Sequence, residues 1–160
     1  MKNIRHTSIA DVEQKLQLLN LVFGPGRFVR SVYRLREKQV FEQEFSYVSV
    51  DGNKIIACID YCRTKLNDQF NGLLLGPLAV HPDFKGLGYG IKLVEYSLKK
   101  VGLNKDYSFI IVVGDMKYYE RFGFCKVEGA LEFYGPVDRD RVLIKKMDRT
   151  IDKSIVYKFT

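Results

Sequence analysis

From Leu73 to Val80 the chain carries an unbroken apolar run, LLLGPLAV, the pattern of a strand buried on both faces. Pro82 ends it. A glycine-rich turn follows, Lys85-Gly86-Leu87-Gly88-Tyr89-Gly90, and behind it Ile91, Val94, Leu98 and Val101 recur at the spacing of one helix face. Gly102 stands where a helix end favours a residue of positive φ. Inside the run, Gly76-Pro77 predicts a bulge, because a proline in a sheet belongs at an edge or a bulge and an edge suits so apolar a strand poorly.

The same patterns organise the rest of the chain. Ile4 to His6 reads as a short first strand. Asp11 and Gln14 have capping-box spacing ahead of a helix stripe of Val12, Leu16, Leu19 and Phe23, which Gly24-Pro25-Gly26 ends. A second short helix carries Phe28, Val32 and Leu35 on one side and Arg27, Arg30 and Arg34 on another. From Phe45 the period becomes two: Phe45 to Val50 and Lys54 to Tyr61 are strands joined at Asp51-Gly52-Asn53, and Leu66 to Gly72 reads as a loop. Ser108 to Val113 is a further apolar strand, followed by Gly114-Asp115 and a short helix holding Tyr118 to Phe124. Cys125 to Val127, Leu131 to Phe133, Val142 to Lys146 and Ile155 to Phe159 complete the strands, with Gly135-Pro136 as a turn.

Length and composition bound these elements. The 160 residues, 46% of them hydrophobic, suit one domain spanning 1–160 with a sizeable core. No apolar stretch reaches membrane length, and the polar start does not read as a signal peptide. Three cysteines with no CxxC pair and two histidines far apart argue against a disulfide framework and against a metal site. Buried free thiols in a reducing cytoplasm are the simpler reading. The net charge of +7 invites a nucleic-acid partner, but the lysines and arginines are scattered and no nucleic-acid-binding motif is legible.

The candidate chemistry lies at the glycine turn. A strand, a glycine turn and a helix N-terminus make an anion site, since the first helical N–H groups have no partner within the helix and glycine lets a phosphate approach the backbone. The P-loop pattern is absent, because Gly88-Tyr89-Gly90-Ile91-Lys92-Leu93 does not supply Gly-Lys-Ser/Thr. The G-x-G-x-x-G spacing of a dinucleotide fold is missing too. Lys85, Gly88 and Gly90 instead match Gln/Arg-x-x-Gly-x-Gly/Ala, with lysine in place of the usual first residue, and Tyr118-Tyr119-Glu120-Arg121-Phe122-Gly123-Phe124 follows on the next strand and helix. From Leu73 to Phe124 the chain resembles the GNAT superfamily of N-acetyltransferases, most of all the YhbS-type group of predicted N-acetyltransferases.

That resemblance implies an α/β (α+β) fold, a mixed and mostly antiparallel sheet flanked by helices, with a bulged central strand that splays from the next to admit the pantetheine arm. It implies acetyl-CoA as co-substrate, with no metal, and transfer of acetyl to a primary amine. Lys85, Gly86, Leu87, Gly88, Tyr89, Gly90 and Ile91 would hold the cofactor, and backbone groups of Leu78, Ala79 and Val80 would serve the pantetheine and the thioester carbonyl. Tyr119 aligns with the family's proton donor, and Tyr118 is its neighbour. The usual carboxylate base of the central strand is missing, which leaves Asp60 and His81 as the nearest candidates, or no base at all if the amine arrives neutral. The partners implied are acetyl-CoA and an amine acceptor, with no membrane and no nucleic acid, and a homodimer is compatible with them. Two other readings stay open: a non-catalytic CoA-binding regulatory domain, and a basic nucleic-acid-binding module.

Overall fold

The computed structural model describes residues 3–24, 43–151 and 156–160. The expected second helix, with Phe28, Val32, Leu35 and the three arginines, lies outside them, as does Ile155. In chain order the elements are β1 (Asn3–His6), a 3₁₀ turn (Ile9–Asp11), α1 (Val12–Phe23), β2 (Tyr47–Asp51), β3 (Lys54–Leu66) and β4 (Phe70–Val80). A 3₁₀ turn (Pro82–Phe84), α2 (Tyr89–Leu103), β5 (Phe109–Val113) and α3 (Met116–Tyr119) follow, then β6 (Cys125–Lys126), β7 (Ala130–Glu132), β8 (Val142–Lys146) and β9 (Val156–Lys158). These elements fall into two compact units, and both β3 and β4 run through the two.

In the first unit β1 pairs antiparallel with β2, from Asn3↔Val50 to His6↔Tyr47, and β2 pairs antiparallel with β3, from Tyr47↔Ile59 to Asp51↔Lys54. The pairing of Asp51 with Lys54 leaves Gly52-Asn53 as a two-residue turn, and Gly52 takes the φ of +57° that such a turn needs. Leu18 and Leu19 of α1 pack on Val48, Ile55, Cys58 and Ala79.

The helix stripe differs from the expected one. Lys15, Leu18 and Leu19 are buried, whereas Val12 and Leu16 are about half exposed at 50% and 48%. Lys15 turns inward because its ammonium meets a buried carboxylate there, so a residue that patterns as surface lies inside. The capping box is also displaced. Asp11 does stand at the N-cap of α1 but its side chain makes no cap bond to that helix; it closes a box one turn earlier, accepting from the Ser8 N–H at 2.7 Å and the Ser8 hydroxyl at 2.8 Å. Gln14 ties α1 to the hairpin, accepting from the Ile55 N–H and donating to the Asn53 carbonyl, each at 3.2 Å.

In the second unit β4 pairs parallel with β5 over Gly72↔Phe109, Leu73↔Ile110 and Leu74↔Ile111. β5 pairs antiparallel with β8, and β8 with β6. β7 and β9 form a separate parallel pair. Gly72 gives way to the Phe109 ring, since a Cβ there would lie 2.3 Å from it. Leu66, Leu74, Phe109, Ile111, Val142, Ile144, Tyr157 and Phe159 are among the residues of this core.

Three expectations need correction. Leu66 to Gly72 is no loop: β3 continues to Leu66 and β4 starts at Phe70, joined through Asn67 and Asp68 at φ of +52° and +53°. The continuation keeps period two, with Cys62, Thr64 and Leu66 buried and Arg63 and Lys65 exposed. Gly102 does not end its helix, which runs to Leu103 with an ordinary φ at the glycine. Of the three cysteines, all free thiols, Cys58 and Cys62 are buried but Cys125 is exposed. Inside β4 the Gly76-Pro77 peptide bond is cis and Gly76 has a φ of +135°.

The β3–β4 turn is sewn to the last strand. Asn67 donates from its backbone N–H to the Lys158 carbonyl, and its side chain accepts from the Lys158 N–H at 2.9 Å and donates to the Val156 carbonyl at 3.1 Å. Lys65 and Thr160 exchange both backbone hydrogen bonds.

Asp11 gives the first unit a pH dependence. Hydrogen bonds from the Arg5 guanidinium, at 2.6 and 2.8 Å, hold its carboxyl well below the usual carboxylate range, and the Ser8 groups add to the effect. The folded value is lowered, so the stabilisation is fully present above the unfolded carboxylate value of about 3.9 and is lost as pH falls below it. Arg5 is 43% exposed, so solvent screening limits the gain to on the order of 1 kcal/mol at pH 7. Urea unfolding of the parent and Asp11→Asn should show a gap of that size at neutral pH that narrows in acid; a constant gap would exclude this origin.

Candidate functional site

The chain leaves β4 with the His81 N–H bonded to the Ile56 carbonyl at 2.7 Å, then makes the 3₁₀ turn of Pro82–Phe84. His81 caps that turn: its Nδ1 accepts from the Asp83 N–H at 3.3 Å. The Phe84 ring stands edge-on to His81 on one side and Tyr89 on the other, bracketing the turn from Lys85 to Gly88. Gly86 and Gly88 take φ of +79° and +81°, left-handed conformations that reverse the chain into α2. A Cβ on either would meet nothing within 4 Å, so backbone conformation and not crowding requires glycine, and the space before both is open. The helical bond from Lys92 N–H to Gly88 carbonyl, at 3.0 Å, starts the α2 ladder, and the amides of Gly88, Gly90 and Ile91 precede it.

Lys85 and Lys92 are exposed, Leu87 forms the exposed tip at 61%, and Tyr89, Gly90 and Ile91 are half-buried. The helix is seated by Leu93, Val94, Ser97 and Val101, a stripe shifted from the expected one, with Ile91 and Leu98 at its margins. Ser97 is buried because its hydroxyl meets that of Tyr61 at 2.8 Å. Upstream, Ala79 is buried in the first unit's core while Leu78 and Val80, pointing to the other face, are half-buried. The turn can thus receive an anion of several charges on backbone amides, with lysines beside them.

Asp60 and His81 both have other employment. Asp60 is 3% exposed, and its Oδ1 accepts from Lys15 Nζ at 2.5 Å and from the Ser46 hydroxyl at 2.6 Å. Ser46, its one proton given to Asp60, also accepts from Lys15 and pairs with the Thr7 hydroxyl as acceptor, so the carboxylate belongs to a buried polar network in which removing one partner would strand a charge. His81 spends the Nδ1 lone pair on its cap.

Tyr119 stands in the second unit, where Asp115 caps α3 by accepting from the N–H groups of Lys117 and Tyr118. It is 8% exposed and packs against the rings of Tyr118, Phe122 and Phe124. Gly114 opens the space for it, since a Cβ there would lie 2.3 Å from the Tyr119 ring. Among the described residues its hydroxyl has no hydrogen-bond partner, an unusual state for a buried phenol that an incoming ligand atom would relieve. Burial pushes the phenol well above its ordinary value, the Tyr118 hydroxyl adds to this, and the charge of Arg141 pulls the other way. Tyr118 is half-buried, with the Arg121 guanidinium over its ring. Sequence reading alone found neither the role of Gly114 nor the reach of Arg141, which lies in an alternating charged stretch that patterns as surface. Among the described residues no group of three His, Cys, Asp or Glu could hold a metal ion, and no helix is long and apolar enough to cross a membrane.

A family model described as an acetyltransferase (GNAT) domain matches residues 42–126. No curated relative matches the sequence. Among solved structures the chain is similar to the GNAT family N-acetyltransferase YhbS from Escherichia coli in complex with CoA, with 19% identity over 99% of this chain and 89% of that one and a TM-score of 0.80. It is also similar to a GNAT family acetyltransferase from Brucella melitensis in complex with acetyl-CoA, at 23% identity, 89% and 94% coverage and a TM-score of 0.63. The ribosomal-protein-S18-alanine N-acetyltransferase from Escherichia coli is similar at 16% identity, 92% and 95% coverage and a TM-score of 0.64. These likenesses establish the fold: a mixed, mostly antiparallel sheet with flanking helices.

The closeness of Gly114 to Tyr119 generates a test. Gly114→Ala should cost about 1–3 kcal/mol in denaturant unfolding, because the ring is boxed in and must shift. Unchanged stability would mean that the ring has room to move.

Proposed function

The chain belongs to the GNAT acetyltransferases, and on that basis we propose that it transfers an acetyl group from acetyl-CoA to a primary amine. The observation that carries this reading is the turn at the head of α2, where two glycines at positive φ leave open space before the helix amides. A phosphate-bearing ligand fits there, with no Cβ in its way and positive charge at hand. Acetyl-CoA brings an acyl group activated as a thioester.

Residues 85–91 do the holding: the amides of Gly88, Gly90 and Ile91 at the head of α2 meet the phosphates, Gly86, Leu87 and Tyr89 shape the turn around them, and Lys85 adds a mobile ammonium. Leu78, Ala79 and Val80 offer backbone groups to the pantetheine amides and the thioester carbonyl. Tyr119 keeps its proton at neutral pH because burial raises its phenol, and gives it to the departing sulfur. Asp60, committed to Lys15, and His81, committed to its cap, are poor bases, which favours an amine that reaches the site already neutral. We place the enzyme in the cytoplasm, a reading that three free thiols support.

A screen of amines that follows release of the CoA thiol tests the activity. CoA binding without turnover for any amine would favour the regulatory reading, and salt-sensitive nucleic-acid binding that acetyl-CoA leaves untouched would favour the basic module.

Gly88→Asp should abolish acetyl-CoA binding in calorimetry, by filling the open space and bringing like charge to the phosphates. A folded variant with undiminished affinity would remove the turn from the site. Tyr119→Phe should lower kcat by about 10²–10⁴-fold with little change in acetyl-CoA affinity, while Tyr118→Phe stays near the parent. The reverse pattern would move the proton-donor role to Tyr118.

A further inference from the structure

The turn that carries Tyr119 is fastened at both ends by charged side chains. At its start the Asp115 carboxylate accepts from the N–H groups of Lys117 and Tyr118. Beyond Tyr119 the helix tightens into a 3₁₀ turn, Glu120–Phe122, which Gly123 ends at a left-handed φ of +85° with its N–H bonded to the Glu120 carbonyl at 3.0 Å. Helix-terminal carbonyls such as that of Phe122 need a partner from elsewhere. Lys145 of β8 supplies one, its Nζ donating to the Phe122 carbonyl at 2.7 Å. Side chains alternate along β8: Val142 and Ile144 enter the core around Phe109, and Lys145, of the other parity, is half-buried. Its ammonium reaches the carbonyl beside Gly123, where a Cβ would lie 2.7 Å from Nζ. Among the described residues this is the one hydrogen bond of the Lys145 side chain, and no carboxylate pairs with it. The strand behind it is fixed in turn by its pairing with β5, where Lys145 stands opposite Ile110.

We propose that Lys145 is a positioning residue for the Tyr119 hydroxyl, anchoring the end of the tyrosine turn to the sheet through the Phe122 carbonyl. The inference rests on the reading of Tyr119 as the proton donor. The Phe122 ring touches both tyrosines, with centroids 5.7 Å from Tyr118 and 6.2 Å from Tyr119. Gly114 lies against the Tyr119 ring as well, and Phe124 packs edge-on to it, so where Phe122 is held decides where the phenol points. In the step it serves, the Oη–H bond of Tyr119 breaks and the S–H bond of free CoA forms. The phenolate recovers a proton, through water, from the nitrogen that has become an amide. Such a transfer tolerates little drift, since a displacement of about 1 Å can cost on the order of 10²-fold in rate.

Two measurements test this, one of them independent of turnover. With a fluorinated tyrosine placed at 119, the fluorine resonance of the free protein should shift or broaden in Lys145→Met. It should return in Lys145→Arg, which keeps a donor. Lys146→Met is the matched control: its ammonium bonds the Tyr157 hydroxyl at 3.0 Å, so its loss should leave the resonance in place whatever it does to stability. In steady state, Lys145→Met should lower kcat by about tenfold with acetyl-CoA affinity held, and Lys145→Arg should recover most of the loss. The same change added to Tyr119→Phe should cost nothing more, because the group it positions has gone. Should Lys145→Met not fold, Lys145→Gln carries the same expectations. An unmoved resonance, or an equal loss in the Tyr119→Phe background, overturns the proposal. If the parent transfers acetyl to no amine, the proposed function fails while the resonance still decides whether Lys145 holds the Tyr119 ring.

Discussion

Two backbone conformations govern the candidate binding turn. Between Val80, where β4 ends, and Tyr89, where α2 begins, the chain must reverse, and it does so through left-handed φ at Gly86 and Gly88. Neither end is free to adapt. Ala79 is locked among Leu18, Leu19, Val48, Ile55 and Cys58, and α2 is seated by Leu93, Val94 and Val101. The Phe84 ring, held edge-on by His81 and Tyr89, stiffens the middle. The direction of the helix-initial amides is therefore imposed by packing at both ends, and glycine is what permits the connection.

Burial acts on Tyr119 in two ways. It raises the phenol, so the hydroxyl holds its proton at neutral pH, and among the described residues that hydroxyl has no hydrogen-bond partner. A phenol with a satisfied hydrogen bond would have to break it before serving a ligand. On the proposed reading, this hydroxyl is open to the ligand's sulfur.

The apolar run, the glycine turn and the paired tyrosines were legible because each depends on residues adjacent in sequence. The misreadings came where distant partners decided the outcome. Lys15 lies inside because Asp60 waits there, on a strand 45 positions away, and this turns Val12 and Leu16 outward. Arg63 and Lys65 disguised a strand that alternates faithfully once its partners are known. The capping box slipped three residues because the Asp11 carboxylate serves Arg5 and Ser8 together. Arg141 patterns as one charge among several, and its backbone bond to Gly114 follows the pairing of β5 with β8, which sequence period does not reveal.

The seam between the β3–β4 turn and β9 has a consequence for how the chain is made. Asn67 is bonded to Lys158, 91 residues later, and Thr64 to Thr160, 96 later. A local bond from the Gln69 N–H to the Leu66 carbonyl closes the turn across Asn67 and Asp68, and the late-arriving strand groups add to it. During synthesis the first unit can gather its pieces once α2 has emerged, whereas the second waits for β9 before its loop-closure entropy is repaid. A nascent chain halted before β9 would carry a finished binding turn on one unit while the core around Phe109 and Phe159 was still open, and that interval is when the protein is most exposed to aggregation.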